Sequence, residues 1–274
     1  MGPLDGIEQS RAIHYTRLQA FGAAVQQLRN NVDHGRTTNQ YLIVRDVDEE
    51  IMKHIEDHGY KGVRYEWHGD LEVLIVKVLT KAHETAAATF GSEIDFTART
   101  MGLPPIERRL TGAATFWAAA GTPRKEGDWS MMPVNVRPNR GDFPTIVVEV
   151  GFSESLRKLR NDARLWFSMS NNDVQIVILI AVRAASNQII FEKWVLAPIP
   201  AGRRATRHTP AQIPQAEQSI AVTRTLPNTF TITAGMAPLI LEFPRLFLRL
   251  PVGPEHDIVY TQADLFAIAE AIFE

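Results

Sequence analysis

The chain reads as an α/β (α+β) fold, a central mixed sheet flanked by helices, and three observations predict it. Helical and extended patterns alternate through the middle of the chain, which favours layers of helix on sheet. The stretch Leu71 to Leu79 is apolar in both alternation classes: Leu71, Val73, Ile75 and Leu79 point one way, and Leu74, Val76 and Val78 the other. A strand apolar on both faces belongs in the middle of a sheet. Pro144 to Val150 is a second, strongly apolar strand, broken only by Glu149 at its end.

Taken in order, residues 8 to 29 carry Ile13, Phe21, Val25 and Leu28 at helical spacing, so the pattern predicts a helix there, weakened by Gly22. Asn30 to Asn39 is polar and reads as a loop, and Tyr41 to Val44 as a short strand. Glu49 to His58 reads as a helix capped by Asp46 or Asp48 and ended by Gly59 in a left-handed turn. Gly62 to Trp67 and Leu71 to Leu79 form a hairpin-like pair turning at His68-Gly69-Asp70. His83 to Arg99 is the next helix, ended by Met101-Gly102 and Pro104-Pro105. Leu110 to Ala119 is a strand candidate and Gly121 to Gly127 a loop. Ser155 to Ser168 is amphipathic, with Leu156, Leu159, Ala163 and Trp166 inward and Arg157, Arg160 and Arg164 outward. Val174 to Arg183 and Gln188 to Leu196 pair around Ala185-Ser186-Asn187. Residues 199 to 217 hold Pro200, Pro210, Pro214, Arg203, Arg204, Arg207 and His208, and read as an exposed loop. Phe230 to Thr233 and Pro238 to Phe243 are short strands. Thr261 opens the last helix with Asp264 as its capping partner. The expected organisation is a helical N-terminal extension over 1–45, a core over 46–200 and a segment packed on that core over 201–274.

Composition narrows the function classes. Hydrophobic residues are 45% and charged residues 22%, ordinary globular values. With 29 basic and 31 acidic residues the net charge is −2, so no global field draws the chain to nucleic acid or anionic lipid. The absence of cysteine removes disulfides, thiolate catalysis and thiolate metal sites. The first thirty residues lack a basic start followed by an apolar run, and no stretch reaches the roughly 18 apolar residues of a membrane span. The expectation is an intracellular protein, cytoplasmic or nuclear. There is no Walker phosphate loop, dinucleotide fingerprint, Gly-x-Ser-x-Gly elbow or His-Glu-x-x-His.

The chemistry concentrates between Lys61 and Trp166. Asp128 sits after a strand candidate, and Glu149 ends an apolar strand, where an unpaired carboxylate would be costly. Two acids at the ends of neighbouring strands can hold Mg²⁺, with Mn²⁺ as substitute, because this ion needs only one or two protein carboxylates beside water and substrate phosphate. The plain alternatives stay open: turn chemistry for Asp128, an arginine-paired strand end for Glu149, and a dipole-favoured helix start for Glu84. His54 and His58 lie one turn apart on a polar helix and read as a solvated face.

Tyr65-Glu66, Ala82-His83-Glu84, Glu126-Gly127-Asp128 and Val147-Val-Glu149-Val-Gly-Phe-Ser153-Glu-Ser155, in this order, resemble the PD-(D/E)XK superfamily, especially the Uma-type endonucleases and their fungal relatives. The resemblance covers roughly residues 50 to 200 and implies a restriction-endonuclease-like core and metal-dependent phosphodiester hydrolysis. In it Glu66 or Glu84 matches the first acid, His83 the helix-opening histidine, and Asp128 and Glu149 the metal-binding pair. The chain departs from the pattern twice. Gly127 stands where proline is usual, and Gly151 occupies the place of the motif lysine. In relatives that cation sits on the following helix, where Asp162 is the matching position here; Lys158, Arg157 or Arg160 can reach in from the same helix. Arg157, Arg160 and Arg164 can track a nucleic-acid backbone, and an exposed helix face accounts for them equally well. The expectation is therefore a Mg²⁺-dependent nuclease-like protein. Its alternative is a non-catalytic binding module or an intracellular effector that keeps the fold.

Overall fold

The computed structural model describes residues 2–7, 9–112, 114–119, 122–139, 141–152, 156–198, 212–226 and 229–274. Ser153, Glu154 and Ser155 of the glutamate-bearing run lie outside the described residues, as do Arg203, Arg204, Arg207 and His208. The fold is mixed α/β, and its strands divide between two large mixed sheets.

The first sheet has six strands: β1 (Arg11–His14), β2 (Tyr41–Arg45), β3 (Val63–His68), β4 (Val73–Val78), β6 (Thr115–Phe116) and β7 (Arg124–Glu126), in the order β1-β2-β4-β3-β7-β6. The second has seven: β5 (Arg109–Leu110), β8 (Trp129–Met132), β9 (Ile146–Phe152), β10 (Ile176–Arg183), β11 (Gln188–Pro198), β12 (Gln212–Leu226) and β13 (Thr229–Ala234), in the order β13-β12-β11-β10-β9-β8-β5. A small pair, β14 (Leu239–Leu241) and β15 (Ile258–Tyr260), stands apart. The helices are α1 (Leu18–Asp33), α2 (Glu49–His58), α3 (Lys81–Thr100), α4 (Leu156–Met169), α5 (Phe243–Phe247) and α6 (Gln262–Phe273).

The seven-stranded sheet is the central one. β9 and β10 run parallel, joined through α4, while β8 and β11 pair antiparallel on either side. One face packs Ile146, Val148 and Val150 with Phe90 of α3 and Ile268 of α6. The other packs Val147, Val177 and Leu179 with Leu159, Ala163 and Trp166 of α4. Gly91 permits the close approach of α3: a Cβ there would lie 2.3 Å from the Trp129 indole. In the six-stranded sheet, Leu42, Val44, Tyr65, Trp67, Leu74 and Val76 form one core with Phe21 of α1 and Met52 of α2. Its opposite face is turned to the functional centre described below.

Several boundaries match local chemistry. Asp48 caps α2 through the Ile51 amide, and Gly59 ends it at φ 68. Thr261 and Asp264 form a reciprocal capping box on α6. Four expectations need correction. The helix expected over 8–29 is a strand followed by a helix, because Arg11–His14 pairs in parallel with Leu42–Arg45 and Arg17 is extended; α1 then runs past Asn30 to Asp33. Leu110 to Ala119 is not one strand: β5 and β6 are two residues each, in different sheets. The expected loop 121–127 contains β7, which pairs with both β3 and β6. From Gln212 the expected loop is β12, whose fifteen residues include Pro214 and pair with β11. Pairing partners distant in sequence override local texture in each case. The 1–45 segment thus contributes two strands as well as a helix, and β12 and β13 extend the central sheet.

Candidate active site

The chain passes from the first large sheet to the second across a two-residue link. β7 belongs to the first sheet and β8 to the second, and Gly127-Asp128 is the link between them. The Asp128 amide already donates to the Val148 carbonyl at 3.1 Å. A Cβ at residue 127 would lie 2.9 Å from Cγ1 of Val147, so glycine fits this crossing and a proline ring would collide with β9.

Strand register places the partners. Directly paired residues share a face of the sheet. Arg64 pairs with Lys77, Glu66 with Ile75 and with Lys125, and His68 with Val73. Arg64, Glu66, His68, Lys77 and Lys125 therefore make one polar stripe on the side away from α1 and α2. Opposite lies Glu149 of β9, on the α4 face of the central sheet, and Lys158 and Asp162 descend from α4 one turn apart.

The result is a buried network of alternating charge. Lys77 Nζ lies 3.0 Å from Asp128 Oδ2 and 3.8 Å from Glu149 Oε2, and donates to the Val150 carbonyl at 2.6 Å. Lys125 Nζ reaches Glu66 Oε2 at 2.9 Å, Asp162 Oδ1 at 3.1 Å and Glu149 Oε1 at 3.4 Å. Lys158 Nζ lies 2.8 Å from Glu66 and 2.7 Å from Asp162. His68 meets the other Glu66 oxygen at 2.9 Å, and Trp166 donates to Glu149 at 2.7 Å. Asp128 Oδ2 also accepts from the Val150 amide at 2.7 Å and faces His83 Nε2 at 2.8 Å. Arg64 Nε stands 3.7 Å from Asp128 Oδ1.

Four carboxylates thus face three ammonium groups, which explains how their acidities separate. Burial pushes Glu149 up to about 7, and Asp128 and Asp162 add to the rise against Lys125 and Lys77. Burial works the same way on Glu66, but Lys125 and Lys158 outweigh it and hold the group well below the carboxylate range. Asp128 is also held low, against its burial, by His83, Lys77 and the Val150 amide. Lys125 and Lys158 are raised by the surrounding carboxylates although burial opposes this. Burial, with Lys77 and Arg64, lowers His83 to about 4, so at neutral pH it is an uncharged donor to Asp128. One acid among four clustered carboxylates is thus set to change charge near neutrality, a pattern common at functional sites.

Asp128, Glu149, Glu66, His83 and Lys158 are brought together. Lys158 touches Glu66 and Asp162, while Glu149 receives its cations from Lys77 and Lys125. Glu84 is exposed in the first turn of α3, so of the two candidates for the first acid it is Glu66 that enters the network. The arginine row of α4 is not a free basic face. Arg157 pairs with Asp5, Arg160 is bound through two nitrogens to buried Glu192, and Arg164 lies over the Trp194 ring at 5.0 Å. Lys77 and Lys125 escaped sequence reasoning. Lys77 carried a signal: it shares the parity of Leu71, Val73, Ile75 and Leu79, a charge on an otherwise apolar strand face.

Among the described residues, openings on two sides reach the network. A cleft of about 710 Å³ reaches Glu66, His68, Lys158 and Asp162, and a cavity of about 200 Å³ touches Arg64, His83, Glu84 and Asp128. Among the described residues no group of three or more His, Asp or Glu side chains is arranged to hold a metal ion. Asp128 Oδ1, however, is a buried carboxylate oxygen without a hydrogen-bond partner, and Mg²⁺ requires only one or two such ligands.

Fold and site together define a mixed α/β protein with an acid–lysine centre buried at the seam of two sheets. No protein-family model matches the chain, and no curated protein matches it. Among the described residues no helix is long and apolar enough to cross a membrane.

Proposed function

We propose that this centre hydrolyses phosphodiesters and that the chain is a nuclease-like protein of PD-(D/E)XK type. The observation that carries the reading is the convergence of Asp128 and Glu149 on one basic nitrogen, Lys77 Nζ. That nitrogen also bonds the Val150 carbonyl, next to Gly151, so β4 supplies a lysine where β9 lacks one. The orphaned Asp128 oxygen fits a divalent cation, which Asp128 and Glu149 would hold. When bound, such an ion supplies charge neutralisation on the phosphate and activation of water. The chain's own groups do the rest. Asp128 is fixed by the Val150 amide, and Glu149 by Trp166. Lys77 and Lys125 place positive charge where charge develops on the phosphoryl oxygens, among buried groups where water screens little.

The three lysines also favour a second reading, because they already compensate most of the carboxylate charge. On that reading the chain is a binding module that keeps the scaffold without chemistry. Calorimetric titration with Mn²⁺ separates the two. The hydrolytic reading expects one site in the wild type, tighter at pH 8 than at pH 6 because Glu149 must release its proton, and none in Glu149→Gln. Absence of binding in the wild type at both pH values leaves the binding-module reading.

A further inference from the structure

The two large sheets end in four edge strands, and three of them are guarded. β5 and β6 are two residues each. β1 is four residues long and charged: Arg11 donates to Gln27, and His14 faces Asp46 at 2.6 Å. Brevity and charge keep an open edge from pairing with another chain. The fourth edge, β13, has neither. It runs six residues, Thr229–Ala234, and pairs with β12 on one side and with no other strand among the described residues. Its register irregularities fall at the two ends, so Phe230, Thr231 and Ile232 pair regularly with Arg224, Thr223 and Val222. Residues 229 to 236 carry no charge and no proline.

The residue pattern of this edge selects its occupant. Thr229, Thr231 and Thr233 alternate with Phe230 and Ile232, so threonine and apolar residues follow in the same order in both directions. Phe230 and Ile232 pack toward α6, and the Phe230 ring lies 6.0 Å from Phe266 and 6.4 Å from Phe273. All three rings are half-buried. Thr233 is on the other face, where its hydroxyl meets that of Thr223 at 2.9 Å. Directly paired residues share a face of a sheet. An antiparallel copy of β13 centred on Thr231 sets Thr231 against Thr231, Phe230 against Ile232 and Thr229 against Thr233. Each threonine then meets a threonine, each apolar side chain an apolar one, and no like charges are opposed. A two-fold interface demands this self-complementarity, because the same patch serves on both subunits. We propose that β13 pairs antiparallel with β13 of a second copy of this chain, joining the two central sheets across a two-fold axis. The axis places the Phe230, Phe266 and Phe273 clusters of both copies on one side of the joined sheet, where they cover one another. This contact does not depend on the hydrolytic reading.

Sedimentation equilibrium of the full chain between about 1 and 100 μM tests this. The wild type should reach twice the 30.7 kDa of one chain. Thr231→Lys sets two ammonium groups opposite each other on the axis at an exposed position, and should raise the dimer dissociation constant at least about 10-fold with an unchanged far-UV spectrum. Thr231→Ser keeps the pattern and should remain a dimer. A wild type that stays at 30.7 kDa throughout overturns the proposal, and so does a Thr231→Lys protein that dimerises as well as the wild type. Hydrogen exchange on the wild type gives a reading that needs no variant. The amides of residues 229 to 234 should gain protection as concentration rises. Full protection in the monomer would mean that the chain covers this edge itself, and would overturn the proposal.

Discussion

Replacing Lys77 with methionine should lower the unfolding free energy by about 3–5 kcal/mol, the usual cost of removing one partner from a buried ion pair. Lys77 is 6% exposed and is the only ammonium within ion-pair distance of Asp128 among the described residues. Its loss leaves Asp128 and Glu149 facing each other with Lys125 touching only the second. The loss should be smaller at pH 6 than at pH 8, because Glu149 is largely protonated at the lower value. Urea unfolding at the two pH values measures it. The double variant with Glu149→Gln should recover part of the loss, since the carboxylate that Lys77 compensated is then absent, and the cycle of four proteins gives their coupling. A loss under about 1 kcal/mol at both pH values would mean that Lys77 is not held between the two acids.

Glu149→Gln should have the opposite effect on stability. The carboxyl is raised from 4.5 to about 7 in the folded state, so between these values the native protein binds a proton that the unfolded chain has released. Stability therefore falls as pH rises through that window, by about 3 kcal/mol for this group at 1.36 kcal/mol per unit. Glu126, buried and pushed to about 7 chiefly by desolvation, titrates in the same window. His83, lowered to about 4, opposes the fall up to its ordinary value, so glutamine at 149 should remove a contribution of about 3 kcal/mol between pH 4.5 and 7.5 and leave the variant more stable than wild type at pH 8. Thermal unfolding across this range reads the effect. An unchanged slope would place Glu149 in a less buried or better compensated setting than the network gives it.

Much of this was legible in the sequence, and what was hidden has a physical cause. The α/β class follows from alternating patterns and from strands apolar on both faces. Helix α2 and the cap at Thr261 follow from local chemistry that needs no tertiary partner. Glu149 stood out as the one charge in an apolar strand, and Asp128 as an acid beside a turn. Lys77 and Lys125 were obscured for different reasons. Lys77 lies in a strand dominated by Leu, Ile and Val, and its importance depends on facing Asp128, 51 residues away. Lys125 sits in three residues of strand that exist only through pairing with β3 and β6, and nothing local marks them as extended. The arginines of α4 show the converse. Their spacing suggested an exposed row, but Glu192 and Trp194 lie on β11, whose position beside α4 helical periodicity does not reveal.

The most direct test of the centre is cleavage of end-labelled single- and double-stranded DNA and RNA by the wild type with Mn²⁺ or Mg²⁺, beside Glu149→Gln and Lys77→Met. The expected result is metal-dependent cleavage of at least one substrate by the wild type, lowered at least 100-fold in both variants under conditions where they remain folded. No cleavage of any substrate by the wild type with either metal, or equal cleavage by wild type and Glu149→Gln, would contradict a hydrolytic role for the acid–lysine centre.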